Sequence, residues 1–279
     1  MGYYSGTFFS RVLEMDTSLG VILPQDSRKH HGFEQLRKGV VPRAVPKTLI
    51  LLHGLGDNYH VWESRTNILR YAEEYDVAVL MPEVQRSFYQ DMAQGRNYFK
   101  YITEELPEYA ASVFHISVEP EDLMIAGLSM GGYGALRSVL TYPGRYMGAG
   151  IFSSGWDIRR LYYGNGLEGA SFDKEEIMKD RSAIWGPDGI PKEAEIAYLV
   201  DRYAPGKAPK LYLACGTEDF LFDDHKRLLG MLDARGIAYK NTLLPGVHEW
   251  AVWDRVVQQM LAYFIVGREP SKHLQAIDE

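Results

Sequence analysis

The run GLSMGGYG, Gly127 to Gly134, sets a serine between two glycines directly after the apolar stretch DLMIA. A strand that turns sharply into a helix holds its turn residue in a strained conformation and tolerates only small neighbours, so Gly127 and Gly131 read as the room that turn needs. The same turn would raise Ser129 Oγ above the carboxyl edge of a sheet. It would also leave the Met130 N–H at a helix N-terminus, where developing negative charge is stabilised. A serine hydroxyl alone is a poor nucleophile, so the chemistry requires a histidine base and a carboxylate to orient it. Both follow in the chain: LACGTEDF places Glu218 and Asp219 just past a strand-like run, and LLPGVHEW places His248 on a loop before the last helix. Asp219 is taken as the acid because it lies in the turn beyond the strand end. Glu218 is the second choice, and Asp223 and Asp224 are read as caps of the next helix.

In a chain with 27 glycines, G-x-S-x-G alone is a modest signal, and its context carries the weight. A second oxyanion donor is expected from LLHGLGDN, where Gly54 and Gly56 permit close backbone approach and the N–H of Leu55 is the candidate. His53 is read as stiffening that loop through a hydrogen bond, not as the base. The other histidines, His30, His31, His60, His115, His225 and His273, show no metal-like spacing beyond one adjacent pair, so no metal and no cofactor are expected. Cys215 lies inside an apolar strand-like run and reads as core. In RSFYQDMAQGRNYF, after another such run, Tyr89 is the candidate substrate contact, while Asp91 and Tyr98 have weaker claims.

Elements able to position these groups are visible in the pattern. TLILLH, VAVLMP, DLMIAG, GAGIFSS and KLYLACG are continuous apolar runs of the kind that form parallel strands buried on both faces. Segments with helical spacing lie between them: NYFKYITEELPEYAASVF, GALRSVLTYP, HKRLLGMLDARG ending at Gly236, and EWAVWDRVVQQMLAYF with one apolar face. Alternation of strand and helix predicts an α/β fold, a mostly parallel central sheet with helices on both faces. TFFSRVL and GVILPQD form an antiparallel N-terminal edge. One domain spanning 1–279 is expected, with a cap-like insertion about 156–208 where the pattern weakens, and a fraying tail after Gly267.

The bulk properties restrict partners. A net charge of −7 with scattered basic residues argues against nucleic acid, and no apolar stretch is long enough for a membrane helix. One cysteine cannot make an internal disulfide, and the N-terminus has no signal-peptide pattern, so a cytoplasmic location is expected.

With these residues in view, the chain resembles the esterase D and antigen 85 group of α/β-hydrolases, and most closely its tributyrin-esterase-like branch. The resemblance runs nearly end to end, through GTFFSRVL, LLHGLGDN, FYQDMAQG, GLSMGGYGAL, CGTEDFLFDD and PGVHEWAVWD. It implies the α/β-hydrolase fold and a serine carboxylesterase with a triad of Ser129, Asp219 and His248. It also implies an oxyanion hole from the Leu55 and Met130 amides, and a small-molecule substrate among short-chain acyl esters or acetylated carbohydrates. A homo-oligomer would be in keeping with such relatives. Tyr133 stands where the S-formylglutathione-hydrolysing relatives commonly carry histidine, and the segment 156–208 is where the resemblance transfers least. The same triad would serve an acyltransferase or a feruloyl-type aryl esterase. A non-catalytic ligand-binding protein of this fold would more often lack a triad member, and none is missing.

Overall fold

A computed structural model describes residues 1–24, 45–163, 179–203 and 210–266. The His30–His31 pair, His273, the tail after Gly267 and part of the 156–208 segment lie outside the described residues. The N-terminal pair forms β1 (Gly2–Ser10) and β2 (Met15–Leu23), antiparallel, with Gly2 opposite Leu23 and Ser10 opposite Met15. The five apolar runs become β3 (Lys47–Leu52), β4 (Val77–Pro82), β5 (Leu123–Leu128), β6 (Gly148–Phe152) and β7 (Lys210–Gly216). With β8 (Tyr239–Leu244) they make one sheet in the order β1-β2-β4-β3-β5-β6-β7-β8, parallel from β4 onward to β8.

The runs of β3 to β7 must be continuously apolar because these inner strands are buried on both faces. In β3, Ile50 and Leu52 face one core layer while Leu49 and Leu51 face the other, and β5 divides Ile125 from Met124 and Ala126 in the same way. Each such side chain contributes on the order of 2 kcal/mol by leaving water. On one layer lie α1 (Val61–Arg65) and α2 (Ile68–Glu74), which contribute Trp62, Ile68 and Tyr71. On the opposite layer α3 (Leu106–Val113) and α4 (Met130–Thr141) cover the sheet.

The 156–208 segment is more regular than its sequence suggests. Its described parts hold α5 (Ile158–Tyr162), α6 (Arg181–Trp185) and α7 (Ile196–Arg202). Two helices close the fold: α8 (Phe222–Ala234) and α9 (Trp250–Leu261), the latter packing Trp253, Val257, Met260 and Leu261 on the α1–α2 side. Gly236 has φ +63° and follows α8. The N–H groups of Gly236 and Ile237 return to Asp233 O and Leu232 O, so glycine is needed where the sequence placed a helix stop.

Two features were not legible. The edge strand β8 is half-buried along its length, with Leu243 exposed, and its YKNT start is polar, so no continuous apolar run marks it. Ahead of α3, residues Tyr101–Glu105 widen into a π-helical turn; Pro107 cannot donate an N–H and its ring crowds the Thr103 carbonyl, which loosens the preceding turn.

Candidate active site

Ser129 joins β5 to α4 with φ 53° and ψ −115°, a conformation unfavourable for any residue with a side chain. A Cβ at Gly127 would lie 2.5 Å from the Gly131 carbonyl carbon, and one at Gly131 would lie 2.6 Å from Leu52 O, so the backbone crosses itself where only hydrogen fits. Hydrogen bonds pin the turn: Ser129 N–H donates to Phe152 O (2.9 Å), and Gly155 N–H donates to Ser129 O (3.2 Å). The serine stays half-buried while Met130 to Leu140 behind it are all buried. At the start of this helix the Met130 N–H has no intrahelical partner, and it stands next to the nucleophile.

Two strands further along the same edge, Asp219 and His248 are in contact. His248 Nδ1 lies 2.9 Å from Asp219 Oδ2 and 3.1 Å from Oδ1. A carboxylate can only accept here, so Nδ1 carries the proton and Nε2 is left as the acceptor, the tautomer a base requires. Burial acts to raise the Asp219 pKa, but the hydrogen bond and charge of His248, the Leu221 N–H at 2.8 Å and Ser153 outweigh it and hold the carboxyl below its ordinary range. The Asp219 side chain is 0% exposed and that of His248 14%, so the acid is shielded while the imidazole still reaches solvent.

The imidazole packs against Phe220 and Trp253, with ring centroids 4.7 and 4.9 Å away. Trp253 Nε1 donates to Ser153 Oγ (3.2 Å), and Ser153 itself has φ 43° at the end of β6. Sequence reasoning placed Trp253 only on the apolar face of the last helix and passed over Ser153; the aromatic repeat in HEWAVW was the available signal. Among the described residues no hydrogen bond joins Ser129 Oγ to His248. Catalytic contacts of this kind are often long without substrate and tighten on binding.

Glu218 does not approach the histidine ring. Its carboxylate accepts from the Gly246 N–H and from Thr217 Oγ1, and its own N–H donates to Gly246 O (3.1 Å), clamping the loop that carries His248. Those bonds, the Gly246 N–H first, lower its pKa. Asp223 and Asp224 are not helix caps: Asp223 is exposed and pairs with Lys226, while Asp224 is buried between Arg160 and Arg227 and ties α8 to α5. The ion pairs take the carboxylates that the cap reading assigned to backbone N–H groups.

The loop after β3 is held from several sides. Val84 N–H donates to His53 Nε2 (3.2 Å), which leaves Nδ1 as the donor to Gly54 O (2.8 Å), so His53 stiffens the loop and is unavailable as a base. Asp57 accepts from Gly54 N–H (3.2 Å); burial raises its pKa, against the opposing pull of His53. Among the described residues neither the Leu55 nor the Met130 N–H is taken by another main-chain acceptor. Tyr89 departs from its sequence assignment as a substrate contact. It is 0% exposed, beneath the loop instead of in front of it, and its hydroxyl donates to His53 O. Asp91 caps Lys100 N–H and Tyr98 is core. Cys215 is buried, and burial with the nearby Asp219 charge pushes its thiol pKa up, so it is no nucleophile.

Among the described residues no group of three or more His, Cys, Asp or Glu could hold a metal ion, and no helix is long and apolar enough to cross a membrane. The arrangement is an acid–imidazole pair beside a strained serine, with two amides at hand that no main-chain acceptor takes among the described residues, which is the equipment of acyl transfer.

Comparison with known proteins agrees. The family model described as "Putative esterase" matches residues 10–264. An acetyl esterase of Caldicellulosiruptor saccharolyticus is 32% identical over 256 residues, covering 90% of this chain and 93% of that protein. Two Staphylococcus aureus structures cover 95% of this chain and 98% of their own. One is the fluorophosphonate-binding serine hydrolase FphF, with a TM-score of 0.77 and 32% identity, and the other an S-formylglutathione hydrolase, with 0.76 and 31%.

Proposed function

Because this chain belongs to that esterase family and is a serine carboxylesterase of the α/β-hydrolase fold, we propose that it hydrolyses short-chain acyl esters, acetyl esters first among them, through an acyl-enzyme on Ser129. The observation that carries the residue assignment is the Asp219–His248 contact on the sheet edge that also bears the strained Ser129. His248 Nε2 takes the Ser129 proton as Oγ attacks the ester carbonyl, and the oxyanion is received by the Leu55 and Met130 amides. Asp219 holds the tautomer and stabilises the imidazolium. Collapse of the tetrahedral intermediate breaks the ester bond, His248 gives its proton to the leaving alcohol, and water activated by the same nitrogen then releases the acid.

The acetyl preference is supported by the acetyl esterase, a relative alignable over nine-tenths of this chain. The described part of 156–208 adds support for a cap over the leaving-group side. Gln94 and Ala93 N–H donate to Ala183 O and Ile184 O, and Trp185 packs against Phe88 at a tilt, 5.6 Å between ring centres, so α6 is seated on the loop after β4.

Initial rates on p-nitrophenyl esters from acetate to decanoate, with acetylated xylo-oligosaccharide alongside, test this. Rates should peak at acetate to butyrate, and Ser129→Ala should lose of the order of 10⁴-fold in kcat. A maximum at decanoate would end the short-chain reading, and turnover surviving in Ser129→Ala would end the nucleophile assignment.

A further inference from the structure

Under the oxyanion loop runs a buried polar chain that the acyl-transfer steps do not use. It starts at Arg137, roughly two turns along α4 from Ser129 and 8% exposed on a helix with no exposed face. Its Nη1 donates to Tyr89 O and to Gln90 Oε1, both at 2.9 Å, and the guanidinium carbon lies 3.8 Å from the centre of the Phe99 ring. Gln90 Nε2 donates to Tyr133 OH (2.7 Å), which donates to Ala194 O (2.7 Å). A guanidinium is costly to bury, and this one leaves Nε without a partner among the described residues. What it holds is a strained segment: Phe88 and Tyr89 have φ of 50° and 49°, conformations bulky residues avoid.

That strain brings the Tyr89 ring against the elbow helix. A Cβ at Gly134 would fall 2.6 Å from Tyr89 Cγ, so the last glycine of GLSMGGYG makes room for this ring. From there Tyr89 OH donates to His53 O at 2.8 Å. The His53 carbonyl shares a peptide plane with the Gly54 N–H, which is held by Asp57. The next plane holds Gly54 O, bonded to His53 Nδ1, together with the Leu55 N–H. Fixing two successive planes fixes where the Leu55 N–H points.

We propose that Tyr89 is a positioning residue of the oxyanion hole: its hydroxyl anchors the turn that aims the Leu55 N–H, and the buried Arg137 and Gln90 anchor Tyr89. The proposal rests on the reading of Leu55 N–H as an oxyanion donor, and its test separates the two. Tyr89→Phe removes one oxygen and leaves the ring on Gly134. Wild type and variant are compared on p-nitrophenyl acetate and on the matching thionoester, whose sulfur is a poor guest for an oxyanion hole.

The expected result for Tyr89→Phe is a fall of about tenfold in kcat with KM within about twofold, since a misaimed donor should cost less than a deleted one. The preference for the oxygen ester over the thionoester should shrink by a similar factor, with the melting temperature little changed. Arg137→Lys keeps the charge without the planar fork and should shift the same preference in the same direction, less strongly. If wild type shows no preference for the oxygen ester, the oxyanion reading fails and the proposal with it. If wild type prefers the oxygen ester and Tyr89→Phe does so equally, Tyr89 has no positioning role, and a loss of kcat that follows only a lower melting temperature overturns it as well.

Discussion

Around Ser129 the constraint is steric, and around His248 it is polar. The serine turn is walled by backbone atoms of Leu52, His53 and Gly131 that cannot swing aside, and its geometry follows from what is kept out. The histidine sits on a loop after an edge strand and is placed by partners: Asp219 on its Nδ1, two aromatic rings against it, and Glu218 bracing Gly246. Steric specification should fail through folding, with activity following stability. Polar specification should fail through chemistry, with the fold left standing.

The largest expected effect lies on the polar side. Asp219→Asn keeps the shape but inverts the hydrogen-bond sense toward Nδ1, so kcat should fall by about 10⁴-fold while the folded protein persists in circular dichroism. Wild-type kcat in this variant would mean the contact with His248 is structural only, and that another carboxylate serves the base. On the steric side, Gly131→Ala pushes a methyl into Leu52 O and His53 O. Overpacking against backbone should cost about 3 kcal/mol in urea unfolding, with kcat falling as the fold loosens. A loss under about 1 kcal/mol would show that β3 can yield and that exclusion is weaker than the geometry suggests.

The two regions also differ in how they could be read from sequence. The steric one is written in residue types: glycines at fixed offsets around a serine, preceded by an apolar run, leave few structures to choose from. Asp219 and His248 were legible because each follows an element end, where α/β sites gather. What escaped depends on partners distant in sequence. The edge strand β8, which delivers His248, lacks an apolar run because it is half-exposed. Asp224 resembles a cap until Arg160 and Arg227 are brought to it, and Tyr89 resembles a pocket aromatic until Arg137 turns it inward. Arg137 left a trace in GALRSVL, a single cation on a helix otherwise apolar and small, a pattern that asks for a buried acceptor.

The smallest effects separate the two carboxylates next to each other in sequence. Both have depressed pKa values, so both contribute stability that is fully present above their unfolded values, 3.8 for Asp219 and 4.5 for Glu218, and is lost as pH falls through the lower folded values. Glu218→Gln should therefore reduce kcat/KM only a few-fold at pH 7, by loosening the loop that carries His248. Its melting-temperature deficit against wild type should close once the pH drops below the ordinary glutamate range. Glu218 is exposed, so added salt should shrink that deficit at pH 7, whereas the deficit of Asp219→Asn, at a shielded site, should persist. Melting curves of the two variants and wild type across pH, at low and high salt, measure both. If the Glu218→Gln deficit ignored salt while that of Asp219→Asn vanished with it, the assignment of shielded acid and exposed brace would be reversed.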